Sequence, residues 1–283
     1  MGELKPEVTL VTPVYDQAGY LEEYIACVRN QTWRPLQVIF VDDGSTDGSG
    51  ELLESVAREL ASDDLKMKVI RSGHAGQAHA MNLALSEVTG EFLTWCDADD
   101  LMTDDSIEKK AAYLLLHPEL GMVRTDGQMY DLDAKEPAGE YAKAEDKDSR
   151  MIFDDLLFDR TYCYAGTYMI RTELIFECYP DKRIPESEEG QNLQLLLPPA
   201  SRSVCGYIDE KLHTYRLHHD SHSHRGRTYS EALQRIKNFT KLRLELLRFS
   251  ECDTEKYTEA IMKIEDSSRK ELLRTAAKKA RKS

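Results

Sequence analysis

The chain has 283 residues, of which 41% are hydrophobic, enough to bury a core without disulfide or metal support. Its formal net charge of −14 argues against a nucleic acid partner held through phosphate contacts. Six scattered cysteines without a CxxC pair, no signal-peptide pattern and no apolar run long enough to span a membrane predict a reduced, cytoplasmic protein.

The first half of the chain alternates two kinds of apolar pattern. Four runs rich in β-branched residues predict strands, at 8–14, 37–41, 66–70 and 90–96. Four segments with helical periodicity predict helices, at 19–30, 46–60, 75–87 and 104–116. This alternation is typical of βαβ units and a largely parallel sheet.

The second half is less regular. Residues 131–149 are polar and are interrupted by Pro137 and Gly139, which predicts a loop. Beyond this loop, short apolar segments predict further strands at 163–170 and 203–208.

Two helical regions are predicted toward the end of the chain. A helix at 190–197 should stop at Pro198 and Pro199, because proline lacks the N–H group that continues a helix. From Ser230 onward, apolar residues again recur at three- and four-residue steps. The last fifteen residues carry seven Lys and Arg against one Glu, which indicates a basic tail with a role of its own.

The stretch VDDGSTDGSGELLE, residues 41–54, has the acid spacing of a calcium-binding EF-hand loop. An EF-hand requires an incoming helix, whereas the preceding PLQVIFVD has the pattern of a strand. We therefore expect no calcium site here. Ser45 and Asp47 are candidates to cap the following helix instead.

Polar side chains accompany the end of each predicted strand in the first half. Because parallel strands end at one edge of a sheet, these side chains can surround a single ligand. The last group, CDADD, places two carboxylates two residues apart, which suits a hard divalent cation that keeps positions open for phosphate. A solvated turn with a helix cap is the alternative. The residues are Pro13, Tyr15, Asp16, Asp42, Asp43, Arg71, Asp97, Asp99 and Asp100.

Three ordered segments together resemble glycosyltransferase family 2. They read VTLVTPVYDQAGYLEEYIACVRNQT, VIFVDDGSTDGS and GQAHAMNLALSEVTGEFLTWCDADD. The resemblance implies an α/β protein with the GT-A fold: a Rossmann-like nucleotide-binding half, a mostly parallel mixed sheet and C-terminal helices. It also implies a GT-A domain at 1–228, divided into a nucleotide-sugar half at 1–116 and an acceptor half at 117–228, and a helical region at 229–283.

The same resemblance assigns a nucleotide to the first two strand ends. It implies that Pro13 and Tyr15 flank a uracil-like base, and that Asp43 bonds the edge of that base with Asp42 nearby. Arg71 is expected to approach the diphosphate or the base. The donor is therefore expected to be a nucleoside-diphosphate sugar, and specifically a UDP-sugar.

The resemblance assigns a metal to the CDADD segment. Asp97 and Asp99 match the family's DxD motif, in which the first acid contacts the ribose or the sugar and the second ligates Mg²⁺ or Mn²⁺. His218 matches a histidine that the resemblance makes a third metal ligand or a diphosphate contact. Met81 stands where relatives often carry Arg. Weaker phosphate candidates are His222, His224 and Arg225.

The general base is the weakest part of the match. Relatives open a helix with a Gly-Glu-Asp segment, whereas this chain reads GQNLQLLLPPA from Gly190. Gln191 and Asn192 cannot accept the proton, because an amide is not a base. Of the three carboxylates just upstream, we favour Glu186 or Glu189 as the base over Glu188. The alternative is that all three are surface charges.

These observations predict a metal-dependent glycosyltransferase that acts with inversion on a saccharide or lipid-linked acceptor. Transfer of a hexosyl or N-acetylhexosaminyl group in cell-surface polysaccharide or glycolipid synthesis is expected. The basic tail suggests peripheral contact with the inner face of a membrane. A catalytically impaired nucleotide-sugar-binding protein is the main alternative. A nucleotidyltransferase, a glycoside hydrolase and a histidine zinc site fit the motifs less well.

Overall fold

One sheet of nine strands organises the part of the chain that the computed structural model describes, residues 5–141, 147–218 and 228–280. The spatial order is β3-β2-β1-β4-β8-β6-β9-β5, and β7 pairs with β6 outside this path. The strands are β1 Val8–Val14, β2 Leu36–Asp42, β3 Leu65–Arg71, β4 Phe92–Trp95, β5 Leu101–Met102, β6 Met122–Asp131, β7 Glu136–Glu140, β8 Tyr168–Arg171 and β9 Cys205–Leu217.

Helices cover both faces of this sheet and form the end of the described chain. Four of them follow strands of the first half, as the alternating pattern predicts. The helices are α1 Ala18–Asn30, α2 Ser49–Leu60, α3 Gln77–Leu85, α4 Ser106–Leu116, α5 Phe153–Leu157, α6 Thr172–Cys178, α7 Gln191–Arg202, α8 Tyr229–Leu246 and α9 Thr254–Ala280, with a 3₁₀ turn at Leu247–Phe249.

The first half confirms the predicted parallel sheet. β1 lies between β2 and β4 and pairs with both in parallel, and β3 pairs in parallel with β2. Alternate residues of β1 and β2 pack on opposite faces of the sheet. Val11 and Ile39 belong to one apolar cluster, whereas Leu10 and Phe40 belong to the other. Because both faces of β2 are covered, this strand contains the continuous apolar run VIFV, whereas the edge strand β3 carries Lys66 and Lys68 at exposed positions. The register pairs Val14 with Asp42, so the loops after these strands lie side by side.

The second half adds antiparallel pairs, and here the predicted boundaries are less accurate. β8 pairs antiparallel with β4 and β6, whereas β9 runs parallel to β6. The strand predicted at 163–170 is only four residues long and begins at Tyr168. The strand predicted at 203–208 extends to Leu217, because its later residues pair with both β6 and β5.

The loop predicted at 131–149 is in part a β-hairpin, so that prediction is wrong for residues 136–140. β7 pairs antiparallel with the end of β6. All five residues of β7 are exposed, so the strand has no apolar face and leaves no alternating pattern in the sequence. Lys135, just before β7, has a positive φ of 56°, as a tight turn requires.

The predicted end of the helix at 197 is also wrong, because α7 runs through Pro198 and Pro199 to Arg202. Proline at 198 leaves the carbonyl of Gln194 without its usual helical donor. The buried hydroxyl of Tyr179 donates to that carbonyl at 2.7 Å and replaces the missing bond. Tertiary contacts therefore maintain a helix that local sequence rules would end.

The C-terminal helices confirm the helical pattern predicted from Ser230. α8 begins with a capping box, in which Thr228 accepts a bond from the Glu231 N–H and the Glu231 side chain accepts one in return. Leu242 and Ile261 join the same apolar cluster as Ile39 of the sheet. The division of the chain at 228 stays a prediction. No helix in the described ranges is both long enough and apolar enough to cross a bilayer.

Candidate functional site

The loops after β1 and β2 are joined by hydrogen bonds across the strand edge. Asp16, with a positive φ of 49°, accepts a bond from the Thr46 N–H at 2.7 Å. Asp47 accepts bonds from the Ala18 N–H at 2.8 Å and the Ser49 N–H at 3.0 Å, which are the first residues of α1 and α2. Although partial burial opposes them, its hydrogen bonds hold the pKa of Asp47 below the usual value. Asp47 therefore bonds the first N–H group of α1 and of α2 from a position just before Gly48, which is the N-cap residue of α2.

Asp42 is completely buried and its carboxylate is engaged by the protein itself. Its Oδ1 accepts a bond from the Ser45 N–H at 2.9 Å, and its Oδ2 lies 3.0 Å from Arg71 Nε. The same guanidinium reaches Glu51 at 2.8 Å and Glu54 at 3.8 Å. The acids of the calcium-like stretch thus neutralise an arginine instead of a metal.

Asp43 is also buried, and it organises the loop before α3. Its carboxylate accepts bonds from the Ala75 N–H at 3.0 Å and the Gly76 N–H at 2.8 Å. The Ser72 hydroxyl donates a third bond at 3.2 Å, and His74 Nδ1 lies 3.2 Å from Oδ2. Asp43 therefore has a structural role in addition to any contact with a nucleotide.

An aromatic pair stands beside Asp43 at the same edge. The ring of Tyr15, 39% exposed, stacks on His74 with a centroid distance of 4.0 Å and an interplanar angle of 25°. Pro13 is half-buried at the end of β1. A flat and partly exposed aromatic surface of this kind can stack on a planar base.

The DxD turn, residues 97–99, has fewer protein partners for its acids. Asp97 Oδ1 accepts a bond from the Gln77 side chain at 2.9 Å, and Asp99 Oδ2 lies 3.1 Å from His218 Nε2. Burial and the neighbouring Asp99 raise the pKa of Asp97 to about 7. The structure thus brings together Asp97, Asp99 and His218, and adds Gln77, which sequence reasoning missed.

The chemistry of these side chains fits a hard divalent cation. Two carboxylates and an imidazole are ligands that Mn²⁺ and Mg²⁺ accept, and repulsion between the acids would be relieved by positive charge. His218 Nδ1 is buried and has no hydrogen-bond partner among the described residues. No cluster of three or more His, Cys, Asp or Glu side chains able to hold a metal ion was found within the described ranges. His222, His224 and Arg225 lie outside the described residues.

Buried polar residues surround Asp100, the residue that directly follows the DxD motif. Asp100 Oδ1 accepts a bond from the Arg216 N–H at 3.0 Å, and Asp100 Oδ2 lies 3.5 Å from His213 Nε2. His213 Nδ1 lies 2.9 Å from the Tyr141 hydroxyl. Burial, with the nearby Lys110, lowers the pKa of His213 to about 3, so this imidazole is neutral. Only the strand pairing of β9 brings these residues to the turn, so the local sequence carried no signal for His213 or Arg216.

The two predicted bases lie on the loop before α7. Glu186 is about half exposed, and its Oε1 lies 3.0 Å from Arg183 Nη2 and 3.4 Å from His79 Nδ1. The bond with His79 holds the pKa of Glu186 below its usual value. Glu189 is less exposed, and its Oε2 lies 3.3 Å from Arg235 Nη1. A cavity of about 460 Å³ separates this loop from α8, and it is lined by Glu186, Ser187, Glu188, Gln234, Asn238, Lys241, Leu242 and Glu245.

The amides that replace the expected acids lie close to the DxD turn. Asn192 Oδ1 accepts a bond from the indole N–H of Trp95 at 2.7 Å, and Trp95 lies two residues before Asp97. Gln191 is 5% exposed, and neither atom of its amide has a partner in the described part of the chain. The start of α7 therefore reaches the site, but it brings no carboxylate there.

Comparison of the sequence with known proteins finds a glycosyltransferase and an O-antigen biosynthesis protein among its relatives. A glycosyltransferase named GlyG from Streptococcus pneumoniae is 34% identical over 109 residues, which covers 38% of this chain and 34% of that protein. The O-antigen biosynthesis protein RfbC of Myxococcus xanthus is 26% identical over 215 residues, covering 75% of this chain and 16% of that protein. The chain thus spans only a third or less of the length of these two relatives.

Solved structures support the fold. Staphylococcus aureus TarS 1-349 in complex with UDP-GlcNAc gives a TM-score of 0.64 at 16% identity, covering 94% of this chain and 71% of that one. The mannosyltransferase PcManGT of Pyrobaculum calidifontis, in complex with GDP-Man and Mn²⁺, gives 0.61 at 18% identity, covering 97% and 76%. These likenesses confirm the predicted GT-A fold.

A family model described as glycosyl transferase family 2 matches residues 9–178, which is more than half of the chain and includes the ends of β1, β2, β3 and β4. The match agrees with the ordered motifs of the sequence and with the sheet that brings them to one edge. The chain belongs to glycosyl transferase family 2.

Proposed function

We propose that this protein is a metal-dependent glycosyltransferase that moves a sugar from a nucleoside-diphosphate sugar, specifically a UDP-sugar, to a hydroxyl acceptor. The observation that carries the proposal is the convergence of Asp97, Asp99 and His218 at the strand edge that also holds Tyr15 and Asp43. A nucleotide, a diphosphate and a cation require neighbouring sites, and this edge offers all three.

The donor base is assigned to the aromatic pair. Tyr15 and His74 supply a stacking surface, with Pro13 on the same strand end. Asp43 holds the adjoining loop in shape through Ala75 and Gly76 and is assigned to the edge of the base, with Asp42 before it at the end of β2. Arg71 acts through its bonds to Asp42 and Glu51, which limit how far it can reach toward a phosphate.

The metal is assigned to Asp99 and His218, with Asp97 directed to the ribose or sugar. A bound Mn²⁺ or Mg²⁺ would stabilise the negative charge of the departing diphosphate. The chain's own residues hold the turn in place: Gln77 orients Asp97, and the His218 ring sits against Asp99.

The general base is assigned to Glu186, with Glu189 as the second candidate. Glu186 is ionised at neutral pH, because His79 and Arg183 keep its pKa low, and it faces the cavity beside α8. A carboxylate of this kind can accept the proton of an attacking hydroxyl. Direct attack assisted by a base would invert the anomeric centre.

UDP release from a panel of UDP-sugars, measured with and without Mn²⁺, tests this function. We expect release only with the metal, and loss of turnover in Glu186→Gln or Glu189→Gln with donor binding retained. Glu188→Gln, on the same loop and cavity, is the matched control and should turn over normally. Wild-type rates in both variants would exclude these two residues as the base.

A catalytically impaired sugar-nucleotide-binding protein is the second candidate. The replacement of the expected acids by Gln191 and Asn192, and the bond that commits Asn192 to Trp95, favour it. Mn²⁺-dependent UDP binding measured by calorimetry, together with no turnover of any donor, would select this alternative.

The proposed acceptor is a saccharide or a lipid-linked saccharide used in cell-surface polysaccharide or glycolipid synthesis. We place the protein at the cytoplasmic face of a membrane in this proposal. The end of α9 supports membrane contact, because Leu273 is 56% exposed beside the exposed cations Arg274 and Lys278. Co-sedimentation with phosphatidylserine vesicles should exceed that with phosphatidylcholine alone. Arg274→Glu with Lys278→Glu should abolish the difference, and Lys68→Glu should not.

A further inference from the structure

The end of β9 is joined to the DxD turn by two separate bonds from one residue. The backbone N–H of Arg216 donates to Asp100 Oδ1 at 3.0 Å. The side chain of Arg216 donates from Nε to the backbone carbonyl of Asp99. One bond therefore holds the residue after the DxD motif, and the other holds the peptide of the motif itself.

Both partners are buried, so these bonds are shielded from water. Asp100 is 1% exposed and Arg216 is 4% exposed. The guanidinium also forms an ion pair with Glu23 of α1 and lies 5.2 Å above the ring of Tyr20. Arg216 thus connects three parts of the molecule: helix α1, the DxD turn and strand β9.

The same arrangement brings His218 into place. His218 lies two residues after Arg216, and its ring is 4.9 Å from Tyr20 and 3.1 Å from Asp99 Oδ2. Directly after the turn, β5 pairs with β9 through Leu101 and Thr214. The turn and the end of β9 are therefore fixed to each other on both sides of the Asp99 carboxylate.

Asp99 itself depends on this support. Within the described residues its carboxylate contacts His218, and the backbone of the turn sets the direction of the side chain. The bond from Arg216 to the Asp99 carbonyl fixes the orientation of that peptide. The fixed peptide in turn directs the Asp99 side chain away from Arg216, to the outer edge of the turn.

We propose that Arg216 and Asp100 are positioning residues that hold Asp99 and His218 at the separation a divalent cation requires. The inference rests on the proposed function, because it assumes that Asp99 and His218 bind the cation. Neither Arg216 nor Asp100 ligates the metal in this arrangement; both act through the geometry of the turn.

Paired substitutions separate positioning from charge. Asp100→Asn keeps an oxygen that can accept the Arg216 N–H, whereas Asp100→Ala removes it. Arg216→Lys keeps the positive charge but cannot reach Asp99 and Glu23 together. Arg243→Lys is the matched control, because Arg243 is also buried and also pairs with one exposed acid, Asp159, away from the turn.

The measurements are the affinity for Mn²⁺ in the presence of UDP or GDP, read by the electron paramagnetic resonance of free Mn²⁺, and the melting temperature of the metal-free protein. We expect Asp100→Ala and Arg216→Lys to bind Mn²⁺ about 10- to 100-fold more weakly. Asp100→Asn should bind within about threefold of wild type, since its bond to Arg216 survives. Arg243→Lys should lose melting temperature without losing Mn²⁺ affinity.

One outcome would refute the proposed function, and another would refute only the positioning role. Wild-type protein that binds no Mn²⁺ with either nucleotide refutes the proposed function. Wild-type protein that binds Mn²⁺, with Arg216→Lys and Asp100→Ala binding equally well, refutes the positioning role alone. If Asp100→Ala does not fold, Arg216→Lys against Asp100→Asn decides the question, and equal affinities in those two variants refute the role.

Discussion

Two acidic turns follow strands of the same parallel sheet, and their carboxylates have opposite surroundings. In the turn after β2, Asp42 and Asp43 receive bonds from backbone N–H groups, a hydroxyl and Arg71. In the turn after β4, Asp97 accepts a bond from the amide of Gln77, and burial together with the nearby Asp99 raises the pKa of Asp97 to about 7. The first turn is neutralised by the protein, whereas the second retains repulsion that a cation can relieve.

This difference shows that the number of acids does not identify a metal site. The calcium-like stretch has more acids than the DxD turn, but Arg71 forms ion pairs with Asp42, Glu51 and Glu54. Backbone N–H groups donate to Asp42, Asp43 and Asp47. What distinguishes the second turn is that, in the described parts of the chain, its acids contact only the Gln77 amide and the imidazole of His218. Substitutions that change one turn and leave the other intact test this distinction.

The largest effect is expected from Asp99→Asn. Loss of this carboxylate should lower the rate of UDP release by about 10²–10³-fold, because charge stabilisation of the diphosphate depends on it. The melting temperature should stay close to that of wild type, since Asp99 has few protein contacts. Asp104→Asn, an exposed acid nearby, is the control and should keep full activity.

Asp43→Ala is expected to lower the stability of the protein, which Asp99→Asn leaves close to that of wild type. The Asp43 substitution removes a buried carboxylate that accepts bonds from the N–H groups of Ala75 and Gly76. We expect a loss of about 3 kcal/mol in the free energy of unfolding, measured by urea denaturation. A stability equal to wild type would contradict the structural role of Asp43.

A pH-dependent effect is expected at His213, which faces Asp100, Tyr141, Cys96 and Lys110. Burial lowers its folded pKa to about 3 from 6.5, so only the unfolded chain takes up this proton between those values. Stability should therefore fall as the pH drops below 6.5, by about 2 kcal/mol at about pH 5. His213→Gln should remove this part of the pH dependence.

The difference between wild type and His213→Gln isolates the histidine. Burial raises the pKa of Asp100, so its own contribution to stability runs in the opposite direction and is present in both proteins. Parallel unfolding free energies for the two proteins between pH 5 and 7 would contradict the assignment of a buried, neutral His213.

The smallest effect is expected from Gly50→Ala. A Cβ at this position would overlap Asp42 Oδ2 and would lie 2.5 Å from Arg71 Cζ. We expect a loss of about 1–2 kcal/mol in unfolding free energy, because the ion pair must shift. Gly19→Ala, where a Cβ meets nothing within 4 Å, is the matched control. Similar stability in both variants would show that the Asp42–Arg71 pair is not closely packed.

The sequence by itself determined the parallel half and the family. The strand predicted at 37–41 is recognised locally, because burial on both faces of β2 makes its run VIFV continuously apolar. The ordered motifs then identify the donor edge, since parallel strands must end on the same side.

Only the tertiary structure decided the remainder. α7 continues past Pro198 because Tyr179, nineteen residues earlier, supplies a donor to Gln194. β7 has no buried face to mark it in the sequence. The bond between Arg216 and Asp100 joins residues 116 positions apart, and no local pattern encodes a contact at that separation. The partners of each carboxylate, and hence the division of the acids between structure and metal binding, depend on such long-range contacts.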